Sequence, residues 1–260
     1  KPVPARPAGG LQPPGPPAMN WSSCSQTDPG NQRRHNEDAI LALQDYGLWA
    51  VADGMGGHRN GALASRLIID TLGALELTGN IDQNQRRVRQ ALQQVNRRLT
   101  QDMTQVQGQP AGPVGSTVVI LLASANRALC LWAGDSRCYL WRQQTLHQLT
   151  RDHSLLQQLI DRGAVTSTEA ASHPGAHVLT RAVGAHDHLK LDSVTFMIQP
   201  GDTLLLCSDG LHRELSPAQL SSALEHQDSS GAAQLVSLAL RGPARDNLSA
   251  VVVRIGAGAS

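Results

Sequence analysis

Two apolar runs in AILALQDYGLWAVAD, residues 39–53, flank a short polar stretch, the pattern of a β-hairpin with Asp45–Tyr46–Gly47 as its turn. The period then changes. In NGALASRLIIDTLGALEL, residues 60–77, Leu63, Leu67, Ile68, Leu72 and Leu75 recur at helical spacing. In QRRVRQALQQVNRRLTQDM, residues 85–103, Val88, Leu92, Val95 and Leu99 mark a second apolar face. The arginines of that segment, Arg86, Arg87, Arg89, Arg97 and Arg98, read as its solvated side, not as a docking patch.

Beyond the Gly- and Pro-rich GQPAGPVG come four strand-like runs, STVVILLAS, ALCLWAG, CYLWRQQ and TLHQLT, which predict an antiparallel meander. SLLQQLIDRG predicts a short helix ending at Gly163, and residues 164–188 lack periodicity and read as a long irregular segment. SVTFMIQ and TLLLCSD predict strands, residues 217–226 and 231–241 helices, and NLSAVVVRI a final strand. Helices and antiparallel strands segregated in this way predict an α+β fold, sheet packed on sheet with helices outside, and the hairpins disfavour a doubly wound nucleotide-binding fold.

Residues 1–19 are rich in Pro and Gly and nearly devoid of large apolar side chains, so they are expected to be a disordered tail or linker, with residues 20–260 as one domain. A start at Lys1 in place of Met is expected of a chain cut from a longer one. At 260 residues and 40% hydrophobic composition the chain buries a sizeable core. A net charge of +1 and an aromatic content of 3% argue against a nucleic-acid partner. Cys24, Cys130, Cys138 and Cys207 form no C-x-x-C pair and read as reduced thiols. With no membrane-length apolar run and no signal-peptide pattern, a cytoplasmic protein with no membrane partner is expected.

Acidic residues stand where apolar runs stop: Asp53 in VADG, Asp135 in LWAGD, Asp209 in LLLCSDG and Asp246 just before LSAVVV, with Glu37 and Asp38 preceding ILAL. One Asp-Gly is an ordinary turn signal. Several at strand boundaries converge at one end of a sandwich, where carboxylates repel and protonate unless a divalent cation balances them. An oxygen-only donor set suits Mg²⁺ or Mn²⁺ and not zinc.

The segments GNQRRHNEDA, VADGMGGHRNGALAS, GSTVVILL, AGDSRCYLWR, LTRDHS, LTRAVG, GDTLLLCSDGL and DNLSAVVVRI, in this order and spacing, resemble the bacterial branch of the metal-dependent PPM family, the type 2C protein serine/threonine phosphatases, over residues 20–255. The resemblance implies a four-layer α-β-β-α sandwich. It implies that Asp53 bridges two Mn²⁺ or Mg²⁺ ions with the Gly54 carbonyl on one of them. Asp209 and Asp246 would be ligands of the other ion, Glu37 would act through a metal-bound water, and Asp38 and Asn247 would support them. Asp135, with Asp209, matches the position of a third, weaker metal, and Arg33, rather than the adjacent Arg34, matches the guanidinium that grips the substrate phosphate.

The implied reaction is hydrolysis of phosphoserine or phosphothreonine esters in proteins by direct attack of a metal-bridging water, opposing a bacterial Ser/Thr kinase, with the enzyme a monomer. Met55 stands where eukaryotic relatives carry a candidate general acid; His58 is a weak substitute. His173, His177, His186 and His188 lack a compact zinc motif and read as polar loop filling, with Ser167, Thr168 and Ser172 as conjectural substrate contacts. The competing readings are a phosphoprotein-binding pseudo-phosphatase, which the intact aspartates oppose, and a two-metal nuclease, which lacks its basic groove.

Overall fold

The computed structural model describes residues 20–56, 59–101, 114–166, 178–225 and 230–256. The tail expected over residues 1–19 lies outside them, as do His58, Ser167, Thr168, Ser172, His173 and His177. The strands are β1 (Asn20–Asp28), β2 (Asp38–Leu43), β3 (Leu48–Met55), β4 (Gly115–Ser116), β5 (Val118–Ser124), β6 (Arg127–Ala133), β7 (Arg137–Arg142), β8 (Thr145–Gln148), β9 (Asp192–Met197), β10 (Thr203–Cys207) and β11 (Leu248–Gly256). The helices are α1 (Arg59–Gly73), α2 (Ile81–Gln101), α3 (Leu155–Asp161), α4 (Asp209–Glu214), α5 (Pro217–Glu225) and α6 (Gly231–Ala239).

Two antiparallel sheets form, one ordered β1-β11-β10-β7-β8 and the other β2-β3-β5-β6-β9 with β4 paired to β3. The period of two along each central strand explains the layers. In β3, Leu48, Ala50 and Ala52 pack towards α1 and α2, while Trp49 and Val51 face the opposite sheet. In β11, Val251, Val253 and Ile255 face that same inter-sheet core, and Leu248, Ala250 and Val252 pack under α4, α5 and α6. Strands apolar on both faces belong between a sheet and a helix layer, and the four-layer α-β-β-α sandwich follows.

The expected meander is corrected. β5 and β6 form one hairpin and β7 and β8 another, but they belong to different sheets, and β6 pairs with β9 instead. The crossing occurs at Gly134, whose φ of 115° suits glycine and whose absent Cβ would come within 2.6 Å of the Thr117 side chain. A short polar link between apolar runs does not reveal whether the chain turns back within a sheet or crosses to its partner.

The buried face of α2 is the expected one, with Val88, Leu92, Val95 and Leu99 enclosed. That of α1 is rotated: Ala64, Ile68 and Leu72 are fully buried, whereas Leu63 is 51% exposed. Arg89 is anchored and not merely solvated, donating to the Leu191 carbonyl at 3.2 Å and the Ser193 hydroxyl at 3.0 Å.

Candidate active site

The antiparallel register of β2 and β3 sets Asp38 directly opposite Asp53, so β2 begins where β3 delivers its carboxylate. Asp209 opens α4 two positions after the end of β10, and Asp246 stands two positions before β11, the neighbour of β10. Asp135 lies at the crossing between β6 and β7. Strand ends from both sheets thus bring Asp53, Asp135, Asp209 and Asp246 to a cleft of about 1060 Å³, whose walls also include Arg33, Glu37, Gly54, Met55, Arg213 and Asn247.

Burial and neighbouring charge both raise the carboxyls of Asp53 and Asp38. Burial, with the charges of Asp38, Asp209, Asp135 and Asp246 added, pushes the Asp53 carboxyl well above its ordinary range. Burial likewise raises Asp38 to about 7, against a hydrogen bond from Ser249 and with help from Asp209 and Asp246. Asp38 accepts from the Ser249 hydroxyl at 2.7 Å on Oδ2, while its buried Oδ1 has no hydrogen-bond partner among the described residues. A buried acceptor left unpaired is costly and points to a missing positive or donor group nearby.

Close backbone approach explains the glycines. The Gly54 amide donates to the Glu37 carbonyl at 3.1 Å, and a Cβ on Gly54 would collide with the Gly61 carbonyl and lie 2.7 Å from the Glu37 carbonyl. Ser65 of α1 donates to that Glu37 carbonyl at 2.5 Å, tying the helix to the same corner. Gly30, with φ 77°, would carry a Cβ 2.8 Å from the Ala244 carbonyl, so glycine seats the loop bearing Arg33 against the segment before β11.

Asn247 fixes the neighbouring loop. Its Oδ1 accepts from the Glu37 amide at 2.8 Å, and its Nδ2 donates to the carbonyls of Pro29 at 2.9 Å and His35 at 3.0 Å. Arg33 reaches Asp246, Nη2 to Oδ2 at 3.0 Å, and its Nε donates to the Arg245 carbonyl at 3.3 Å. Arg213 reaches Asp135 at 3.1 Å and Asp209 at 2.7 Å. Among the described residues no three His, Cys, Asp or Glu side chains stand as a ready ligand set. The donors are nonetheless all oxygen, as a hard divalent cation requires.

Sequence reasoning missed three residues here. Arg213 is one. His212 is half-buried, donates Nε2–H to the Asp135 carbonyl at 3.0 Å, and is held neutral by loss of solvent around its ring, which lowers it to about 4. His153 accepts the Gly134 amide on Nδ1 at 3.2 Å and pairs through Nε2 with Asp192 at 3.0 Å, its ring stacked 5.9 Å from Trp132. Its carbonyl accepts from Thr180, so it joins the Asp135 loop to the LTRAVG segment. LTRDHS carried this signal without showing which residue did the joining. His186 and His188 are exposed, and Gly163 takes a φ of 67° just after α3.

Residues 31–250 match the family profile described as Protein phosphatase 2C. The serine/threonine phosphatase Stp of Listeria welshimeri is 33% identical over 211 residues, 78% of this chain and 83% of that protein. The serine/threonine protein phosphatase PstP of Mycobacterium tuberculosis is 34% identical over 89% of this chain, which spans 44% of PstP's length. Among solved structures, PppA, described as a key regulatory component of T6SS in Pseudomonas aeruginosa, is 41% identical with a TM-score of 0.84, covering 92% of this chain and 99% of that one. The PstP catalytic domain in complex with 2 manganese ions is 32% identical with a TM-score of 0.80, covering 92% and 99% respectively.

Proposed function

This chain belongs to the protein phosphatase 2C family, and from that premise we propose that its cleft hydrolyses phosphoserine and phosphothreonine esters in proteins with the help of Mn²⁺ or Mg²⁺. The observation that carries the reading is the meeting of Asp53, Asp209 and Asp246 from three strand ends beside the guanidinium of Arg33.

The residues present fit a pair of divalent cations: the donors are oxygen, burial and then the neighbouring acidic charges drive Asp53 and Asp38 towards protonation, and Asp38 Oδ1 is orphaned. Asp53 and the Gly54 carbonyl, with Asp209 and Asp246, would hold them, and Glu37 would contribute through water. Asp38 and Asn247 would set these groups in place. Bound divalent cations supply the Lewis acidity that activates water towards phosphorus and offset the charge of the phosphoryl oxygens.

Arg33 is exposed and pairs with a single carboxylate, so it is placed to exchange Asp246 for a phosphate oxygen of an incoming substrate. Met55 offers no proton, and no side chain in this reading acts as a nucleophile, because the candidate carboxylates are committed to cations or arginines. A pseudo-phosphatase is not favoured, since Asp53, Asp209 and Asp246 are all present and converge.

The wider setting we propose is a catalytic unit spanning residues 20–260, acting as a monomer in the bacterial cytoplasm against the products of a Ser/Thr kinase. Among the described residues no helix is long and apolar enough to cross a membrane. The test is phosphate release from a phosphothreonine peptide: turnover with Mn²⁺ that EDTA abolishes supports the reading, and binding of the peptide without turnover in Mn²⁺ overturns it.

A further inference from the structure

Arg213 pairs with two carboxylates from different parts of the chain, Asp135 at the crossing between the sheets and Asp209 in the first turn of its own helix. Different guanidinium nitrogens serve each: Nη2 lies 3.1 Å from Asp135 Oδ2 and Nη1 lies 2.7 Å from Asp209 Oδ2. Asp135 is 5% exposed and Asp209 9%, so both need a permanent counter-charge more than a surface pair would. The preceding residue, His212, clamps the Asp135 carbonyl, so two consecutive side chains of α4 fix one residue across the cleft.

We propose that the Arg213 guanidinium is a built-in cation filling the position between Asp135 and Asp209, so that the protein binds two divalent ions and excludes a third. This inference rests on the two-cation reading above and deepens it. A third ion between those carboxylates would have to evict a tethered, permanently charged fork and leave it beside a dication. The same tether keeps Asp135 neutralised when metal is scarce. Asp135 is then a positioning residue for the helix that carries Asp209, and not a ligand.

The test counts Mn²⁺ per chain by the electron paramagnetic resonance signal of the free ion, titrated to millimolar Mn²⁺. Wild type should saturate at two ions. Asp135→Asn should also take two, because no ion is lost with that carboxylate. Arg213→Gln should gain a third, weaker ion, and Arg213→Gln combined with Asp135→Asn should return to two. Arg213→Lys, which keeps the charge, should stay at two, and circular dichroism checks that each variant is folded. A third ion in wild type that disappears in Asp135→Asn overturns the proposal, as does an Arg213→Gln protein that is folded, binds two ions and gains none. A wild-type protein that binds no Mn²⁺ overturns the two-cation reading and this inference with it.

Discussion

Arg33 Nη2 lies 3.0 Å from Asp246 Oδ2, which joins the group proposed to grip phosphate to a carboxylate proposed to hold a cation. Replacing Arg33 by Ala should lower kcat/KM on a phosphothreonine peptide by about 10- to 150-fold, the loss of charge-assisted hydrogen bonds worth about 1.5–3 kcal/mol. Arg33→Lys should recover only part of this, because a point charge does not reproduce the planar fork. Mn²⁺ affinity, read by calorimetry, should not fall in either variant. Activity of Arg33→Ala equal to wild type would remove Arg33 from the phosphate site.

Asn247 satisfies three backbone groups of the one loop, residues 29–37, that joins β1 to β2. Asn247→Ala leaves the Glu37 amide without its acceptor, and the folded state should lose about 1–3 kcal/mol in urea denaturation with EDTA present. Activity should fall with it, since Glu37 is no longer held. An unchanged midpoint would mean that water replaces the side chain at no cost.

Gly54→Ala places a methyl group against the Gly61 carbonyl and the Glu37 carbonyl, both backbone and unable to rotate away. Thermal denaturation should show a loss of about 1–3 kcal/mol from this overpacking, and Mn²⁺-dependent turnover should drop in parallel. Wild-type stability would show that the end of β3 and the first turn of α1 separate freely.

His153 is held below its usual pKa by burial, with Asp192 opposing, so it stays neutral in the fold. The unfolded chain takes up the proton first as the pH falls. The stability from neutral His153 is therefore present above pH about 6.5 and is lost as the pH falls from there towards the lower, folded-state value. His153→Asn keeps an acceptor for the Gly134 amide but does not titrate. Relative to this variant, wild type should lose stability between pH 7.5 and 5 in chemical denaturation; parallel profiles would contradict the assignment.

Much of the layering was legible because β3, β5 and β11 carry the unbroken apolar runs LWAVA, VVILLA and AVVV, and such runs belong in the middle of a sandwich. β1 was not legible: NWSSCSQTD is a half-exposed edge strand held by its backbone pairing to β11, with no apolar pattern to announce it. The acids at strand ends were legible one by one, since each stops an apolar run. Arg213 was not, because an arginine in a short helix reads as solvated and its partner Asp135 is 78 residues away. Residues that act by reaching across the fold leave no local spacing, whereas residues that end strands do.

Asp53, Asp209 and Asp246 are proposed to gather divalent cations in the cleft beside Arg33. Crystals grown in MnCl₂ and measured on both sides of the manganese absorption edge test this most directly. Two anomalous peaks within the cleft, touching Asp53, Asp209 and Asp246, are the predicted result. A cleft without anomalous density at saturating manganese, with Asp246 still paired to Arg33, would contradict it.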